Sequence, residues 1–69
     1  MSKVRTLHKG DIVKFDGQFV KVVGFTVDQE SFRLCVQLED KQGNVGHVPR
    51  IDVIWNGKQF IYAPVGANL

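Results

Sequence analysis

Cys35, His47 and the carboxylates Asp40 and Asp52 are the residue types that could do covalent chemistry, as thiolate nucleophile, imidazole base and orienting acid. Such chemistry needs the side chains to converge, and their spacing along the chain gives no sign of it. Cys35 sits in an alternating run between Arg33 and Gln37, where a small half-buried side chain is the simpler reading. His8 and His47 with one cysteine do not match zinc-ligand spacing, and the acids form no calcium loop. The glycines of Gly10-Asp11 and Gly43-Asn44-Val45-Gly46 read as turns, because neither stretch precedes a helix as a phosphate-cradling loop requires. The sequence therefore predicts no catalytic residue, no metal and no cofactor.

Binding chemistry has more to work with. Lys14, Phe19 and Lys21 fall on one face of a predicted hairpin, with Lys3, Arg5 and Lys9 on the preceding segment. Cations interleaved with an aromatic suit phosphate contact plus base stacking. Arg33 and Arg50, with His47 and Lys58, could extend such a patch, so Lys14, Phe19, Lys21, Arg33 and Arg50 are the candidate nucleic-acid contacts. The competing reading is solvated lysines whose stems cover apolar surface. Trp55 and Tyr62, with Phe60 and Phe25, are candidate anchors for a protein partner, since interface hot spots favour Trp and Tyr. A small core also needs its aromatics inside, which is the alternative for Trp55.

Strands must position these residues, because apolar spacing has a period of two almost throughout. Asp16-Gly17 between Asp11-Ile12-Val13-Lys14-Phe15 and Gln18-Phe19-Val20-Lys21-Val22-Val23 predicts a hairpin with a two-residue type I′ turn. Its register sets Phe15 opposite Gln18, Val13 opposite Val20 and Lys14 opposite Phe19. Gly24 predicts a bulge or bend before Phe25. The run Phe32–Leu38 predicts a strand with Phe32, Leu34, Val36 and Leu38 on one side and Arg33 on the other. A short strand, Val45–Val48, is closed by Pro49, and Arg50 begins a tight connection. Asn56-Gly57 predicts a second two-residue hairpin, with Trp55 facing Lys58, Val53 facing Phe60 and Ile51 facing Tyr62. Ile12, Phe19, Val23 and Phe25 oppose the Val13/Phe15/Val20/Val22 face, so either a bend at Gly24 turns residues of opposite parity inward or that second face meets another copy of the chain.

Length and charge bound the class. With 69 residues, 43% of them hydrophobic and 23% charged, the chain has ordinary globular usage and room for one small domain. The net charge of +2 is a mild tilt, so distribution matters more than total. A lone cysteine forms no intramolecular disulfide, the basic N-terminus leads into no apolar signal region, and no window approaches a membrane span. A cytoplasmic protein without a membrane partner is expected. The boundaries read as a basic N-terminal arm over 1–8, a β domain over 9–62 and a tail over 63–69, with an all-β antiparallel barrel of five or six strands as the fold.

Gly10-Asp11-Ile12-Val13, then Asp16-Gly17, a Val-rich strand ending Gly24-Phe25, and Gly43-Asn44-Val45-Gly46-His47-Val48-Pro49 together resemble the SH3-like small barrels, including KOW and Tudor-like modules in the opening strand. The resemblance spans about residues 9 to 62 and implies short strands with a tight connection before the last one. The expected function is a non-catalytic binding module for nucleic acid. The alternative is an accessory or inhibitory factor that docks on a larger protein or on itself as a homo-oligomer.

Overall fold

The computed structural model describes residues 5–64, and the fold is all-β. The strands are β1 (Ile12–Phe15), β2 (Gln18–Val27), β3 (Leu34–Glu39), β4 (Val45–Pro49), β5 (Val53–Trp55) and β6 (Phe60–Tyr62). A 3₁₀ turn, Arg50–Asp52, joins β4 to β5. They form one sheet in the order β4-β3-β2-β1-β6-β5, antiparallel except where β6 runs parallel to β1. The sheet does not close on itself: β4 and β5 stand at its two ends, so the closed barrel expected from the strand pattern is not formed by this pairing. Among the described residues no helix is long and apolar enough to cross a membrane.

The first hairpin has the register its turn dictates. Asp16 (φ 49°) and Gly17 (φ 81°) both occupy the left-handed region that a type I′ turn requires, and Lys14 stands opposite Phe19, Val13 opposite Val20. Along β2 the register slips between Val22 and Gly24, which makes Val23 the extra residue of a bulge. The slip switches parity, so Phe25 lies directly across from the buried Val36 and shares its face. The bend expected at Gly24 thus turns Phe25, a residue of opposite parity, inward, while Ile12 and Phe19 stay on the outer side. Gly24 is also where Gln37 crosses, since a Cβ there would come 2.6 Å from Gln37 Oε1.

The inner face carries the core: Val13, Val20, Val22, Val36, Leu38, Val53 and Phe60, joined by Leu7 from the segment before β1. Phe15, Val48, Trp55 and Tyr62 pack against it. Gly10 N–H donates to Val22 O (2.8 Å) and Val22 N–H to Asp11 O (2.8 Å), extending the β1–β2 ladder by one step.

Three local expectations differ. Phe32 is not in β3: it adopts φ 56°, is 83% exposed, and its N–H donates to Asp28 O (2.7 Å) in a loop that Asp28 N–H closes on Arg33 O (2.9 Å). Hydrogen bonds within the loop outbid one more ladder step, so the strand starts at Leu34 and Arg33 precedes it. At the second hairpin, Trp55 faces Phe60 and Val53 faces Tyr62 across a four-residue loop. There Asn56 Oδ1 accepts from Lys58 N–H and Gln59 N–H, both 2.9 Å, and this side-chain turn replaces the two-residue turn. The shift is two residues, so parity and the aromatic face survive. Ile51 falls in the 3₁₀ turn rather than opposite Tyr62. Of the tail over 63–69, Ala63 N–H bonds Asp52 O (2.7 Å), and the residues after Pro64 lie outside the described region, as does Lys3.

Candidate nucleic-acid interface

On the outer face the registers place side chains in rows. One row crosses β2, β1, β6 and β5 as Phe19, Lys14, Ile61 and Ile54. The next runs through Ile12, Lys21, Glu39 and Val45 on β1, β2, β3 and β4. Phe19 is 51% exposed, Ile12 48% and Ile54 44%, and both lysines are exposed. Period-two strands paired in the register that Asp16-Gly17 fixes give this result directly: every residue that is not inward must appear here.

Beyond Phe19 the turns at 16–17 and 40–44 meet at one end of the sheet. Between them lies a polar cleft of about 530 Å³ lined by Gly17, Gln18, Phe19, Asp40, Lys41 and Gln42. Lys41 thus joins Phe19 from a strand connection more than twenty residues away. Sequence reasoning missed it. The signal was the β2–β3 register, which sets Lys21 opposite Glu39 and so brings the next turn alongside Phe19.

The acids in the region are accounted for by local structure. Asp40 Oδ1 accepts from Asn44 N–H and Gln42 N–H, both 2.9 Å, and Oδ2 from Asn44 Nδ2 (3.3 Å). Its carboxyl is held below the ordinary carboxylate range by the Asn44 backbone first, then by the Asn44 amide and the Gln42 and Gly43 backbone. At the other end of the sheet Glu30 N–H (3.0 Å) does the same for Asp28, with Ser31 adding to it. Glu39, beside Lys21, bounds the basic strip on the β3 side.

The remaining candidates do not join the strip. Arg33 is exposed in the β2–β3 loop, beyond the far end of β2. Arg50 is half-buried, and its Nη1 donates to Val53 O (2.8 Å), pinning the β4–β5 connection. Trp55 and Tyr62 lie against the core: Trp55 meets Phe60 edge-on at 5.0 Å, with the Arg5 guanidinium 5.3 Å above its ring, and Tyr62 lies 4.6 Å from Phe15. Cys35 is 3% exposed and faces Pro49, whereas exposed His47 faces Gln37. The Cys35 thiol donates weakly to Arg33 O (3.7 Å), and Asp40 is occupied by its own turn.

A second, more apolar cleft of about 350 Å³ opens on the inner side, lined by Phe15, Val20, Leu38 and Val48 among others. It exists because β4 has glycine, Gly46, opposite Leu38, with nothing within 4 Å of where a Cβ would stand. No protein-family model matches the chain, and neither a curated protein nor a solved structure shows significant similarity to it.

Proposed function

We propose that the chain is a non-catalytic binding module of the SH3-like kind that holds single-stranded nucleic acid on its outer face. The architectural reading is supported by the tight β1–β2 hairpin, the long bulged β2, the β2-β3-β4 meander and the 3₁₀ turn before β5. The parallel β1–β6 pairing and the open sheet depart from it.

The observation that carries the ligand is the half-exposed Phe19 ring, directly opposite Lys14 with Lys21 on the same strand face and Lys41 across the adjoining cleft. A base stacks on Phe19 while the lysines contact the phosphates on either side, an arrangement tolerant of sequence because every base has a π-face. Supporting this over a protein anchor, Trp55 and Tyr62 are engaged by the core, whereas Phe19 is not.

Electrophoretic mobility shifts with labelled oligonucleotides test it: binding at ~50 mM salt that weakens toward ~200 mM is expected, and Lys14→Glu with Lys21→Glu should abolish it. No binding at the lower salt ends the reading. The second reading, docking on a larger protein, is favoured by one feature, the apolar cleft beside the end strand β4, where an extended segment could add to the sheet. A Gly46→Val variant that fills this cleft would leave nucleic-acid binding intact but remove such a partner.

A further inference from the structure

The β2–β3 hairpin projects past the core. Beyond Val22, β2 is paired only with β3 among the described residues, because β1 covers Gln18–Lys21 and its ladder ends with the Asp11–Val22 bonds. On this arm Phe25 pairs with Val36 and Val27 with Leu34, so Phe25, Val27 and Leu34 continue the inner, core-forming face. Yet they are 40%, 54% and 49% exposed, and Phe32 in the loop is 83% exposed. A core face that runs on without a cover is an interaction surface.

We infer that this surface is the interface of a homodimer in which a second copy docks arm against arm, inner face to inner face, about a two-fold axis. Three observations select a second copy as the occupant. The first is area. From their fractional exposures Phe25, Val27 and Leu34 leave on the order of 250 Å² of apolar surface on this face, and Phe32 in the adjoining loop raises the total to on the order of 400 Å² per chain, against the ~450 Å² apolar share of one side of a standard ~1,600 Å² interface.

The second is charge. The loop carries Asp28, Glu30 and Arg33, a net of only −1, so Arg33 of each copy has acids to meet and little repulsion keeps two copies apart. The third is the strand edge. Val23-Gly24-Phe25-Thr26-Val27 has no charge and no proline, whereas the end strand β4 terminates in Pro49 and the end strand β5 is three residues long. Natural sheets guard an exposed edge with such devices, and here the unguarded one lies beside the apolar face. The bulge at Val23 is what makes the arm self-complementary, since without the parity switch Phe25 and Val27 would point to the outer side.

The test needs no nucleic acid, so it stands apart from the binding reading above. Sedimentation equilibrium or size exclusion with light scattering should give twice the 7.8 kDa chain mass at micromolar concentration. Val27→Lys and, separately, Phe32→Ser should each raise the dimer dissociation constant at least tenfold, while Ile54→Lys on the outer face should not change it. Phe32 lies in a loop and outside the core, so its variant stays folded, as circular dichroism would verify. A wild-type monomer at hundreds of micromolar overturns the proposal. So does a dimer that survives both arm variants, or one that Ile54→Lys dissociates.

Discussion

Removing two lysines from the outer face should change how binding responds to salt, and by an amount the geometry sets. Lys14, Lys21 and Lys41 are the cations beside Phe19. If each meets one phosphate of a single strand, the slope of log affinity against log salt is about 0.7 per contact, or about −2 in all. A rise from ~50 to ~200 mM salt then weakens binding roughly twentyfold. Lys14→Gln with Lys21→Gln leaves one contact, a slope near −0.7 and a loss of only about threefold over the same range. Phe19→Ala, in contrast, should leave the slope alone and cost about 1–3 kcal/mol at every salt concentration, because stacking releases no counterions. Fluorescence anisotropy with a labelled oligonucleotide across five salt concentrations reads both quantities. A double-lysine variant that keeps the wild-type slope would refute the assignment of phosphate contacts, and a Phe19→Ala variant of unchanged affinity would refute the stacking platform.

Urea titration should separate inner from outer positions: Phe60→Ala, in the core at 3% exposed, costs about 3–5 kcal/mol, whereas Phe19→Ala stays within about 0.5. At the first turn, Asp16→Asn should be neutral and Asp16→Val should cost about 1–2 kcal/mol by the same assay, because a β-branched side chain resists the positive φ found there. Asp28 and Asp40 have lowered folded-state pKa values, so the unfolded chain binds more protons in acid: their contribution is complete above the ordinary Asp value near 4 and fades as pH falls below it. Thermal unfolding from pH 7 to 2 should therefore be flat down to about 5 and then decline, and Asp28→Asn with Asp40→Asn should flatten that acid limb.

Period-two alternation and the pair Asp16-Gly17 determined, without any tertiary information, that the chain is all-β and that Lys14 stands opposite Phe19. Both are local facts: a turn with two positive φ values permits one register, and the register assigns faces. The bend in β2 was legible at Gly24, as was the option that it turns opposite-parity residues inward, but only the β3 pairing shows that a bulge at Val23 does this to Phe25 and leaves Phe19 outside. Asn56-Gly57 signalled a turn correctly and its length wrongly, since the Asn56 carboxamide takes two backbone N–H groups and stretches the loop to four residues. The site followed the same division. Within the candidate site, spacing puts Lys14, Phe19 and Lys21 on one face, whereas Lys41 shares a cleft with Phe19 only because two connections meet at one end of the sheet. Arg33 and Arg50 lie apart from that strip, one past the end of β2 and one bonded to the backbone of Val53. Sequence spacing decides which side of a strand a residue takes; only strand order and register decide which other strands it meets there.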